Sequence, residues 1–446
     1  MSRQKLFPFL LAALITLPGF ALRFAAIPPP IAALTAGAAM LGASFLLLWA
    51  CDAAQAEISQ GLALAFVALI AVLPEYSVDM YFTWQAGKFP ASEYAHYAVA
   101  NMTGANRLLI GVAWAAIAGV AWLRFRRPVV MDGSRSTELV FLAAATVYAL
   151  LIPIKGTLAW YDAIVFLGIY IAYVVTTARR GCEECEVEGP AEIIARLPRT
   201  HRRIATLGLF VYAGVVILFN AAPFCEGLVV TGKMLHINEF LLVQWLAPIA
   251  SEAPEFTVAL VFAWRGQAGL ALGSLLSAKL NQWTLLVGTI PAVFAVSHGT
   301  LAHPIPMGSF QMQEILLTAA QSLLGLALLA GLSLSGGGAL LLFGLFIGQL
   351  ILPGLAASVH PGFLFGLNQQ QVHPVFAMLY VTAALAVFAQ NPRHLGWLVR
   401  RMRGIMPGEL EPERTPHCAR CRFRLAARAK SAAAANFGSD LDQRQA

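Results

Sequence analysis

Apolar runs of about 20 residues, the length that carries a helix across the hydrocarbon core of a bilayer, follow one another along most of the chain. They fall near 5–22, 31–51, 58–84, 94–124, 137–153, 158–178, 204–222, 239–264, 268–297, 311–333, 337–359 and 372–390, which predicts twelve spans. The first run shares its basic start and apolar stretch with signal peptides, but another span follows at once, so it reads as a retained helix. Two extended hydrophilic pieces remain, 179–203 and 391–446, neither long enough for a substantial core. The expected fold class is an all-α polytopic membrane protein.

Composition agrees: 59% of residues are hydrophobic and 12% charged, with a mean hydropathy of +0.70, where soluble domains carry about a quarter charged residues. With a cytoplasmic N-terminus, 24 of the 30 Lys and Arg fall on the cytoplasmic side and four outside, at Arg23, Lys88, Lys155 and Lys233. That asymmetry predicts cytoplasmic N- and C-termini in a plasma (inner) membrane. The net charge of +7 is accounted for by orientation and anionic headgroups, so the expected partners are the lipid bilayer and small solutes rather than nucleic acid. A homodimer is left open.

Against this background AVLPEYSVDMYFTW, Ala71 to Trp84, is anomalous, because it places Pro74, Glu75 and Asp79 inside a span. A carboxylate at mid-bilayer costs about 2.5–3.5 kcal/mol on insertion scales, so it needs a partner or a task. SEAPEFTVALVFAW, Ser251 to Trp264, repeats the pattern with Glu252, Pro254 and Glu255 at an offset of 180 residues. An odd number of spans separates the two copies, so they cross the membrane in opposite senses. Inverted repeats with proline-interrupted helices facing each other at the midplane are an architecture of secondary transporters, and proline frees a carbonyl that can line a cavity. A simple kink packed against a neighbour is the alternative for either proline.

These residues resemble the calcium/cation antiporter (sodium/calcium exchanger-like) superfamily, whose two repeats each carry Gly-Thr-Ser-x-Pro-Glu followed on the next helix by Gly-Asn-x-x-Gly-Ser-Asn-x-x-Asn. The resemblance implies two inverted repeats of five helices, here 31–178 and 204–360, joined by a cytoplasmic loop at 179–203. One extra helix would stand at each end, within 1–30 and 361–390, and a basic cytoplasmic tail would occupy 391–446. It also implies ion binding by Glu75 and Glu255 with Ser, Thr and Asn oxygens. Ala71 and Val72 stand where the hydroxyls are expected; in the second copy Ser251 keeps one hydroxyl and Glu252 replaces the other. Asn101, Thr103 and Asn106 fall in the second segment in one of two registers: Ala100 to Asn106 on Gly-Asn-x-x-Gly-Ser-Asn, with Arg107-Leu108-Leu109 replacing the stretch that holds the ligating Asn, or, counted back from Gly111, Asn101 at the ligating Ser. In the second repeat Lys279, Asn281 and Gln282 lie in the corresponding stretch, with Gln282 at the ligating Asn.

Asp79 follows Glu75 by four residues and Glu252 precedes Glu255 by three, so each pair shares a helix face. Two close acids resist ionising together, which suits proton coupling. Arg107 and Lys279 add positive charge that opposes a calcium site, and a buried lysine can lose its proton and stand in for a sodium ion. The expected function is a secondary active cation antiporter, not an enzyme, exchanging sodium, or another cation such as calcium, for protons by alternating access. The competing reading is a transport-inactive or regulatory protein that keeps the fold, its charges locked in pairs such as Glu255 with Lys279. Trp84, Trp160, Trp245 and Trp264 read as an interfacial belt. No cofactor is required. Cys182, Cys185, Cys418 and Cys421 form two Cys-x-x-Cys pairs on the cytoplasmic side that together would suffice for a tetrahedral zinc, with reduced thiols as the default.

Overall fold

Polar backbone groups in hydrocarbon have to be satisfied within the segment that carries them, and most of the described residues are helical. The computed structural model describes residues 3–22, 24, 26–55, 72–178, 189–300, 303–358 and 369–405. Its main helices are α1 (Arg3–Ala21), α2 (Pro29–Gln55), α3 (Leu73–Lys88), α4 (Tyr94–Leu108), α5 (Ala115–Phe125), α6 (Ser136–Ala149), α7 (Trp160–Ala178) and α8 (Arg199–Leu235). They continue as α9 (Glu239–Trp264), α10 (Ala268–Asn281), α11 (Val287–His298), α12 (Ser309–Leu329), α13 (Gly336–Ser358), α14 (Gln369–Gln390) and α15 (Pro392–Ile405). Among the described residues ten segments are long and apolar enough to cross a membrane. Helices α1 and α3 fall within the other two expected runs, 5–22 and 58–84, of which 58–71 lies outside the described residues.

The two halves interlock crosswise. Helix α2, which opens the first half, packs along α8, which opens the second. Helix α4 lies against α9, and α3 against α11. This reciprocal packing puts the motif helices of each half inside the other. In the most apolar stretch of spans 268–298 and 309–329, 72% of the residues are buried, against 28% for 160–178, so the former build the centre and α7 lies at the periphery. Helix α1 is an addition at the rim, packed on α2 and tied to α8 by the Thr16 and Tyr212 hydroxyls, 2.5 Å apart.

Loop contacts agree with the expected number of crossings. Val129 pairs with Leu334 and Val130 with Ser333 in a two-residue antiparallel ladder, joining two connections assigned to the cytoplasmic side. Leu158 bridges to Ile305, joining two assigned to the opposite side.

Two features depart from expectation. Helix α8 runs 37 residues, roughly 55 Å at 1.5 Å per residue, well past the expected end at 222. Phe224, Cys225, Leu228 and Val229 remain buried in the cluster shared with α2, so packing continues the helix beyond Pro223 until His236 turns left-handed at φ 54°. The second predicted interruption is a continuous helix, since α9 carries Pro248 and Pro254 in its interior without ending. Each proline withdraws one donor, yet the flanking turns hold. In the first half Pro74 lies in the opening turn of α3, where a missing N–H costs nothing.

Candidate functional site

Glu75 and Asp79 stand one turn apart on α3, 3% and 0% exposed. Asn101 of α4 donates to Asp79 Oδ1 at 2.8 Å. The second half supplies the same parts from the other side: Glu252 is buried on α9, Glu255 follows it half-buried, and Gln282 donates through Nε2 to Glu252 Oε1 at 2.9 Å. Glu75 lies within electrostatic reach of Glu252, Asp79 and Glu255, and the Gln282 side chain reaches it as well. Each half therefore contributes two acids from its proline helix and one amide from the helix that follows.

The constellation is left short of hydrogen bonds. Among the described residues, Glu75 Oε1, Asp79 Oδ2, Asn101 Oδ1, Glu252 Oε2 and Gln282 Oε1 are all buried without a partner. Buried acceptors in that condition cost about 1–3 kcal/mol each, and a cation or added protons relieves the cost. Gln282 opens a π-helical turn, Gln282–Leu286, between α10 and α11, and α4 passes through a similar turn, Leu109–Trp114, into α5. Such turns recur at functional sites, where they re-aim side chains.

The remaining candidates lie outside this cluster. Lys279, fully buried, donates to Asn106 Oδ1 at 2.7 Å, and its ammonium lies 4.3 Å from the centre of the Trp283 ring. Among the described residues it forms no ion pair with Glu255, so the expected lock between those two is absent. Asn106 is thus the partner of the lysine, and Asn101 is the asparagine that meets the acids. Ser251 turns its hydroxyl back to the Ala247 and Pro248 carbonyls at 3.3 and 3.2 Å, and Thr103 does the same to Val99 at 2.7 Å. Asn281 is buried with Oδ1 unpartnered. Cys182, Cys185, Cys418 and Cys421 lie outside the described residues.

Arg107 is the clearest correction. It does not face the acid cluster; it pairs with Glu314 of α12, both buried, and its guanidinium stacks 5.0 Å from the Trp245 ring centre. Trp245 accordingly sits over a buried charge, whereas Trp84, Trp160 and Trp264 are 43%, 48% and 59% exposed, as a belt requires. Glu314, its donor Gln244 at 2.5 Å and His373 were not singled out from sequence. Glu314 carried a usable signal, since an acid near the start of an apolar span is as anomalous as Glu75.

Inverted halves that bring carboxylates together inside a membrane bundle define an exchanger-type fold, and the comparisons agree. The family model described as sodium/calcium exchanger protein matches residues 29–178 and 205–355. The chain belongs to that family. A crystal structure of the H+/Ca2+ exchanger CAX is 38% identical, with a TM-score of 0.82 over 91% of this chain and 99% of that one. The structure of native YfkE, 11% identical with a TM-score of 0.58, covers 84% of this chain and 99% of that one and shares the fold. An uncharacterized membrane protein of Methanocaldococcus jannaschii is 24% identical over 190 residues, 43% of this chain. The match spans 57% of that relative's length.

Proposed function

We propose that the protein is a proton-coupled cation antiporter whose cation and protons compete for the carboxylates of Glu75, Asp79, Glu252 and Glu255. The observation that carries this reading is the set of five unpartnered buried oxygens contributed by both halves. Hard cations take oxygen ligands, and calcium takes six to eight of them. The four acids with Asn101 and Gln282 approach that number, and the likeness to an H+/Ca2+ exchanger supports a divalent cation of calcium's class as cargo.

Lost hydroxyl ligands and two added bases, Arg107 and Lys279, favour sodium over calcium in the sequence. Arg107 is committed to Glu314, which leaves only Lys279 to oppose a divalent charge. Sodium remains the second reading, favoured by that one buried ammonium beside the cluster. Either cargo uses the same cycle. Carboxyl groups this close titrate as a set rather than singly, so loading a cation expels protons and reprotonation expels the cation. The halves then expose the site to alternate sides by moving against each other. Cytoplasmic termini in a plasma (inner) membrane follow from the basic-residue asymmetry.

Proteoliposomes holding an imposed proton gradient, assayed with radioactive calcium and radioactive sodium, test the reading. Calcium movement that collapses with the gradient and is lost in Glu75→Gln and Glu255→Gln is the expected result. Sodium movement alone selects the second cargo. Silence for every cation, or full activity in both variants, favours a protein that keeps the fold without transport.

A further inference from the structure

Helix α4 reaches three different neighbours from one stretch of its length. Asn101 meets Asp79 of α3, Asn106 meets Lys279 of α10, and Arg107 meets Glu314 of α12. The third contact belongs to a separate buried charged centre. Gln244 of α9 donates to the same Glu314 oxygen that Arg107 engages, and His373 Nδ1 lies 2.8 Å from the other oxygen, Oε1, close enough for a charge contact but out of line for a hydrogen bond. His373 comes from α14, a helix beyond the residues that the exchanger family model matches.

Exposure is graded along this centre. The His373 side chain is 11% exposed, Glu314 0% and Arg107 1%, so the histidine is its wet end. A cavity of about 310 Å³ lined by Glu93, His96, Glu239, Phe240 and Phe310 lies next to it. The Phe310 ring centre stands 5.5 Å from that of His373. One aromatic ring thus separates an open cavity from a histidine that touches a buried ion pair.

We infer that Arg107, Glu314 and His373 are positioning residues for exchange: they fix α4 so that Asn101 meets Asp79, and His373 makes that hold depend on the pH of the compartment its cavity faces. This rests on the proposed antiport. The charged groups at this centre are Glu314 from α12 and Arg107 from α4; Tyr380, on the histidine's own helix, is buried near Arg107, and beyond Phe310 the cavity carries Glu93, His96 and Glu239. Helix α13, packed along α14, carries no titratable residue, and α15 follows at the opposite end of α14. A protonated imidazole and Arg107 hold Glu314 from both of its oxygens. A neutral imidazole leaves Arg107 as the only cation on it, and α4 is held less firmly.

Cation exchange by the full chain in proteoliposomes, measured against pH and cation concentration, tests this with Glu314→Gln, Glu314→Asp, His373→Gln and, as a reference, Glu75→Gln. Glu314→Gln is expected to raise the half-saturating cation concentration by about tenfold or more, with Glu314→Asp recovering most of the loss. His373→Gln is expected to leave half-saturation at pH 8 near the wild-type value while flattening the rate difference between pH 6 and pH 8. Should Glu314→Gln fail to insert, the conservative His373→Gln decides through its pH profile. Wild-type half-saturation in Glu314→Gln, or a wild-type pH profile in His373→Gln, overturns the inference alone when Glu75→Gln is dead. Silence of the wild-type protein overturns the antiport as well.

Discussion

Asn101 donates a 2.8 Å hydrogen bond to one oxygen of Asp79, and the other is buried without a partner among the described residues. The amide thus holds the carboxyl in place and keeps an acceptor free for an ion. Asp79→Asn keeps the shape but removes the charge, and cation exchange is expected to fall by about tenfold or more while thermal stability stays within about 1 kcal/mol. Asn101→Leu removes the one donor that the described residues offer to the buried Asp79 carboxyl and is expected to destabilise by about 1–3 kcal/mol. Flux assays and thermal unfolding of the detergent-solubilised protein separate the two effects.

Lys279, when protonated, places a positive charge within electrostatic reach of Glu252 and Glu75 while binding to Asn106 and the Trp283 ring. At an effective dielectric near 20, a like unit charge costs about 4 kcal/mol at 4 Å and about 2 kcal/mol at 8 Å, and twice that against a divalent cation. Lys279→Met is expected to tighten calcium binding by about tenfold or more. Calorimetric titration checks the direction; weaker binding would mean that the ammonium supports the site.

Gly104 marks the crossing of α4 and α9, where an added Cβ would sit 1.8 Å from the backbone oxygen of Gln244. Backbone cannot swing aside as a side chain can, so Gly104→Ala is expected to push the helices apart at a cost of about 1–3 kcal/mol. Because Gln244 also reaches Glu314, the variant should lose transport along with stability. A wild-type melting temperature would show that the helices do not cross so closely.

The architecture was legible because its signals are local. Twelve apolar runs and a Pro-Glu pair repeated at 180 residues carry the inverted halves, and the acids of both copies meet as that repeat implies. The register left open between Asn101 and Asn106 is decided by tertiary contact, the former on Asp79 and the latter on Lys279. Arg107 reads as a site residue because it is near in sequence. Six residues at about 100° each turn it some 240° around α4 from Asn101, and there it finds Glu314, 207 positions away. Partners at that separation leave no mark in a single sequence. Helix α8 outran its hydropathy window for a similar reason, since the faces that prolong it are buried against α2.

The central claim is that a cation and protons compete for carboxylates supplied by both halves. Calcium titration of the purified full chain by calorimetry, repeated in buffers of different ionisation enthalpy, counts the protons released on binding. The account predicts saturable binding with proton release in the wild type, and neither in Glu75→Gln/Glu252→Gln. Binding that survives in the double variant, or that releases no proton near neutral pH, would contradict it.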